Sequence, residues 1–167
     1  MRGRGLRLYN VIFPIWLLWL VPPVCIASLV GNFLIDMLVV VLTLKHLRVE
    51  LRKQLVEDVL WPVYGCGFLA DLAGAALLLA SQLIESDDGW WYENVQYPVA
   101  YDPFANIWSF LWVTVGVAVA AVCIYWLDRK LALKNAALTE TGKHKLAMSL
   151  AGFTAPYLFY LPMKWFW

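Results

Sequence analysis

Charge is scarce in this chain. Asp, Glu, Lys and Arg make up 15% of its 167 residues, against 62% hydrophobic and 16% aromatic. An average soluble domain has about 25% charged and about 45–50% apolar residues, so one soluble core of this size could not hide the apolar surface. Cysteine is nearly absent too. The three present, Cys25, Cys66 and Cys123, show no C-x-x-C spacing and no Cys/His cluster. An odd count without such spacing excludes a closed disulfide framework and offers no metal site; free thiols that behave as small hydrophobes are expected. Histidine occurs twice, at His46 and His144, with no nucleophile at a telling spacing. There is no H-E-x-x-H, no G-x-S-x-G and no phosphate-cradling glycine loop. No catalytic residue, metal or cofactor is therefore assigned. Long repeats, Gly/Ser linkers and low-complexity stretches are also missing, which leaves a single domain over 1–167.

What the chain does have is apolar runs of membrane-spanning length. The first extends from Leu8 to Leu44 and is divided by Pro22 and Pro23. A Pro-Pro pair removes two backbone donors and disfavours helix in the residue before it. This predicts a short membrane or interfacial helix over 8–21 and a span over 24–44. The basic start "MRGRGLR" and the later "VCIAS" imitate a signal peptide with a cleavage site. Cleavage there would cut within the apolar run, so the segment is read as retained. Further spans are expected over 61–84, 104–127 and 146–163, the last interrupted by Pro156. The basic, amphipathic stretch over 45–60 suits a helix lying at a membrane surface. The expected fold is an all-α integral membrane protein, a small polytopic helix bundle with four clear membrane segments plus the short N-terminal one.

Lys and Arg in the short loops set the orientation. The stretch 85–103 has none, but carries Glu85, Asp87, Asp88, Glu93 and Asp102. It is expected outside the cytoplasm. Segments 45–60 and 128–145 carry Lys45, Arg48, Arg52 and Lys53, then Arg129, Lys130, Lys134, Lys143 and Lys145. They are expected inside, where they would attract anionic lipid headgroups. Arg2, Arg4 and Arg7 also favour the cytoplasm, which asks the run over 8–44 to cross an even number of times. A hairpin turning at Pro22 and Pro23 meets that demand with five crossings; one kinked crossing or an interfacial first helix gives four. Trp61, Trp90, Trp91, Trp126, Trp165 and Trp167 fall near span ends, the level at which amphipathic rings anchor. The resulting expectation is a multi-pass cell-membrane protein whose partners are the lipid bilayer and a second membrane protein or further copies of itself, with no nucleic acid.

Two acids interrupt these runs, in "NFLID" (Asn32 to Asp36) and "GFLAD" (Gly67 to Asp71). Asp36 lies nine residues before Lys45, and Asp71 ten after Trp61, so each sits roughly 13–15 Å from the cytoplasmic edge at 1.5 Å per residue. On antiparallel neighbouring helices they would reach similar depth. Ser28, Asn32 and Asp36 recur every four residues and form one polar face. Gly67, Gly74 and Ala75 flank Asp71 and permit close helix approach. An Asp inside the bilayer pairs, protonates or lines a wet path, and no Lys or Arg lies at matching depth. Two neighbouring carboxylates cannot both ionise cheaply, so one is expected to keep its proton.

The candidate ion- or proton-binding residues are thus Asp36, Asp71, Asn32 and Ser28, in a small transporter or channel. The alternative is a non-catalytic structural or assembly subunit, in which the same acids act as packing glue or meet a partner helix. An intramembrane aspartyl protease would also place acids on neighbouring helices, but its Y-D and G-x-G-D signatures are absent, since Ile35 and Ala70 precede the acids. In the outer loop, "ESDDG" fails as a calcium loop. Aligning Gly89 puts Ile84 and Val95 at two ligand positions.

Overall fold

The computed structural model describes residues 22–49, 53–84 and 89–165, and all regular structure among them is helical. Helix α1 is Pro22–His46. The two prolines open it, because a first-turn residue needs no intrahelical N–H bond. It closes with Arg48 N donating to the Lys45 carbonyl and Val49 N to the Leu44 carbonyl. This is a Schellman motif with Arg48 at φ 56° where glycine is usual. The predicted segment over 8–21 lies outside the described residues, and so does the choice between four and five crossings.

Helix α2, Lys53–Leu83, has 31 residues and is about 46 Å long. The separate surface helix expected over 45–60 is not what the structure shows. Lys45 and His46 finish α1, and from Lys53 onward the stretch is already α2. The reason is a buried stripe, Val59, Val63, Cys66 and Ala70, whose three- and four-residue spacing runs unbroken past Pro62 and outweighs its missing N–H.

Beyond α2 the polar stretch folds back. A π-helical turn, Tyr92–Gln96, leads into the short α3, Tyr97–Tyr101. Gln82 and Gln96 exchange side-chain-to-carbonyl hydrogen bonds of 3.1 and 3.2 Å, and the Trp91 indole donates to the Ser81 carbonyl at 3.0 Å. Trp91 is therefore a docking group, not the interfacial anchor its position suggested. Trp61, Trp90, Trp126 and Trp165 are exposed, as anchors would be; Trp167 is outside the described residues.

Helix α4, Ile107–Leu127, starts at Asn106, whose side chain accepts from Ser109 N, and continues into a π turn, Asp128–Ala132. Helix α5, Glu140–Phe153, is capped by Thr139 and has 14 residues. The span expected over 146–163 is thus only partly helical. Pro156 supplies no donor and pushes its predecessor out of helical geometry, and 3-10 turns at Tyr157–Tyr160 and Met163–Trp165 follow.

Three helical windows, Leu29–His46, Leu55–Leu83 and Ile107–Ala132, are long and apolar enough to cross a membrane. Their outward faces match that reading. On α1, Leu34, Leu38 and Leu42 are 52%, 56% and 55% exposed, while Asp36 between them is 4% exposed. A water-soluble bundle would reverse this order.

The core forms two clusters. One joins α1, α2, α5 and the π turn around Val40, Leu44, Val63, Leu133 and Leu150. The other joins α2, α4 and the segment after α5 around Leu78, Val113 and Phe159. Helices α2 and α4 share the most extensive contact. At their crossing a Cβ on Gly74 would lie 3.0 Å from Ala120 Cβ, from the Gly116 carbonyl oxygen and from Phe159 Cε2. The absent side chain at Gly74 is what lets the helices meet.

Candidate functional site: three acids in the bundle

The two pentapeptides that resemble each other lie antiparallel across the α1–α2 seam. Asn32 Nδ2 donates to Asp71 Oδ2 at 3.1 Å. One turn away, a Cβ on Gly67 would sit 3.6 Å from Asp36 Oδ2. The first residue of each motif therefore faces the last residue of the other. Phe33 packs on Trp61 and Tyr64 at centroid distances of 5.5 and 5.6 Å, and the Tyr64 hydroxyl donates to the Leu29 carbonyl at 3.3 Å. These contacts fix the register. The expected equal depth becomes a stagger: Asp71 takes an amide as its nearest partner, and Asp36 fills the space Gly67 leaves open.

Asp36 is also near Thr154, whose hydroxyl donates to the Leu150 carbonyl at 2.9 Å. Ser28 lies on α1 one turn before Asn32, with its side chain outside the described set.

A third acid, which the sequence reading placed in a cytoplasmic loop, completes the group. Asp128 is fully buried, and neither of its carboxyl oxygens has a hydrogen-bond partner among the described residues. It lies within electrostatic range of Asp36 and of the Cys66 thiol. Asp36 likewise acts on Asp71. Asp36 is therefore the middle member of a series, with Asp71 towards one end of the bundle and Asp128 at the end of α4. Asp71 Oδ1 is also unpartnered.

A signal for Asp128 was present. Val113, Val117, Ala120 and Ile124 mark the buried stripe of α4, and Asp128 is its next member by the same spacing. The adjoining Arg129 and Lys130 concealed it by suggesting a solvated loop.

Among the described residues the ion pairs use other acids, Glu140 with Lys143 and Asp102 with Lys164. Among the same described residues no cationic side chain pairs with the three, and no group of three His, Cys, Asp or Glu converges closely enough to hold a metal ion. The acids are strung along the helix seams instead of surrounding a point. Such a row can hold, share or pass protons. It lacks the converging oxygens that a dehydrated divalent cation requires.

Fold and site together define an all-helical bundle, with three helices capable of crossing a membrane and a row of acids between them, Asp36 and Asp128 buried and Asp71 half-buried. Comparison with protein-family models, curated proteins and solved structures finds no match for this chain.

Proposed function

We propose that this is a small multi-pass protein of the cell membrane, a transporter or channel in which Asp71, Asp36 and Asp128 bind and pass protons. The observation that carries this reading is Asp128, a fully buried carboxyl with two unpartnered oxygens. A buried polar group kept only for packing is normally hydrogen-bonded, since an unmade bond costs about 1–3 kcal/mol. Intramembrane acids without a cationic partner are characteristic of proton and ion paths.

In this reading the segment 85–103 is extracytoplasmic and the segments around 45–60 and 128–145 are cytoplasmic, following their Lys and Arg content. The segment after residue 139 makes the fourth crossing. Its support is a set of contacts beside α4: His144 meets Tyr125, Tyr160 meets Thr114, and Lys164 meets Asp102, which precedes α4. The helical part crosses with its backbone bonded internally, and in the 3-10 part Phe159 and Met163 are buried while Tyr157, Leu158 and Trp165 face outward.

The test is proton flux into liposomes reconstituted with the full chain and loaded with a pH-sensitive dye. Wild type should carry protons, and Asp36→Asn, Asp71→Asn and Asp128→Asn should each slow the flux by about tenfold or more, as expected of relay members. Equal flux in all four proteins would refute the reading. A chain that carries nothing but co-purifies in fixed ratio with another membrane protein would establish the assembly-subunit alternative.

A further inference from the structure

We propose that the Thr154 hydroxyl is the positioning group of Asp36, giving this carboxyl a hydrogen-bond partner both when it holds a proton and when it has released it. The inference deepens the proposed proton path and rests on it. Asp36 is the middle acid of the row and is buried, so bulk water does little to solvate it when its charge changes. The residue that α2 sets against it is Gly67, where a Cβ would lie 3.6 Å from Asp36 Oδ2. Thr154 comes near the carboxyl from the end of α5, a helix that packs on α1.

Thr154 is bonded twice to one atom. Its N–H donates to the Leu150 carbonyl oxygen at 2.8 Å, and its hydroxyl donates to the same oxygen at 2.9 Å. A carbonyl oxygen has two lone pairs and accepts both. The backbone bond alone closes the helix end, so the hydroxyl can turn away and Leu150 keeps a partner. A hydroxyl is both donor and acceptor, and its hydrogen rotates to suit its surroundings. Threonines that only bond back to the carbonyl four residues earlier are common in helices. Here that oxygen is already served, and the hydroxyl lies beside a buried acid.

Two states follow. With a proton on Asp36, its O–H donates to Thr154 Oγ1, and Thr154 still donates to Leu150. When that proton moves on to Asp71 or Asp128, the Thr154 hydroxyl turns and donates to the carboxylate, a charge-assisted bond. Leu150 then retains the Thr154 N–H, and Thr154 keeps its own proton throughout. The titratable groups that act on Asp36 are Asp71 from α2 and Asp128 from the end of α4. A carboxyl donates only when protonated, whereas Thr154 can donate whatever the proton count of the row. Asp71 has the same kind of partner in Asn32, whose amide also both donates and accepts. Asp128 has none among the described residues.

The test reads the carboxylic C=O stretch of Asp36 by infrared difference spectroscopy, on the full chain in lipid nanodiscs at acidic pH. The band is assigned in each background by its loss in Asp36→Asn. A hydrogen bond lowers the stretching frequency of a carboxylic acid. Thr154→Val, which keeps the shape of the side chain, should therefore move the band to higher frequency. Thr154→Ala should do the same without added bulk, and Thr154→Ser should restore the wild-type position. Proton flux into liposomes should fall about three- to tenfold in Thr154→Val, the effect on a rate of one lost hydrogen bond, and should return in Thr154→Ser.

An Asp36 band at one frequency in wild type, Thr154→Val and Thr154→Ala overturns the proposal. So does wild-type flux in Thr154→Val when the wild-type chain carries protons. A Thr154 that serves only the fold would lower the melting temperature of Thr154→Val and leave the band in place, which also overturns it. A wild-type chain that carries no protons refutes the proton path itself, and the band still decides whether Thr154 serves Asp36.

Discussion

In the proposed reading Asp128 is kept for its chemistry and not for stability. Its two oxygens meet no donor, and its neighbours Asp36 and Cys66 bring no positive charge. Replacing such a group with an apolar one removes a desolvation cost and leaves only a small gap, so Asp128→Ala should stabilise the fold by about 1–2 kcal/mol. A higher melting temperature in detergent together with lost proton flux would show that the carboxyl is retained for its chemistry. A lower melting temperature would show that it holds the bundle together. The sequence displayed Asp36, Asp71 and Asn32 openly, because each breaks an apolar run. Asp128 was hidden because it is the last position of α4's buried stripe and a basic stretch follows at once. Thr154 was hidden for a related reason: it follows the end of α5, and its contact with Asp36 joins segments distant in sequence.

The helices themselves were legible where an apolar run was long and uniform, as in α4 and the second half of α2. They were less so where composition changed along one element. The first two turns of α2 are polar enough to suggest a surface helix, yet they run straight into the buried stripe that begins at Val59. Helix contacts follow from the small residues. Gly74 sits at the α2–α4 crossing with backbone and side-chain atoms 3.0 Å from its missing Cβ, whereas a Cβ on Gly65 would meet nothing within 4 Å. Gly74→Ala should therefore destabilise by about 1–3 kcal/mol, the usual effect of forcing a methyl into a packed interface. Gly65→Ala should be neutral or stabilise by about 0.5–1 kcal/mol, because alanine favours helix over glycine. Thermal melts of the two variants side by side test the crossing. Equal melting temperatures would mean that α2 and α4 do not meet at Gly74.

For the molecule as a whole, the sign of its loops and the path of the segment after α5 predict one arrangement. In a background where Cys25, Cys66 and Cys123 are serine, an impermeant maleimide added outside intact cells should label Glu93→Cys and Trp165→Cys but not Lys134→Cys. Labelling of both Lys134→Cys and Trp165→Cys, or protection of both, would remove the fourth crossing from the proposal, and labelling of Lys134→Cys alone would invert its orientation. The composition made the bundle class legible, since apolar faces turned outward leave few alternatives. It could not show that the last segment is helical for only part of its length. That mixed character has a consequence for biogenesis. On the proposed fourth crossing, a stretch that breaks at Pro156 into 3-10 turns would leave backbone groups unpaired in lipid by itself. It would enter against α2 and α4 already in place, with Phe159 and Tyr160 finding Gly74 and Thr114. The bundle would then be assembled in order, with the pairing of Lys164 and Asp102 as its closing clasp.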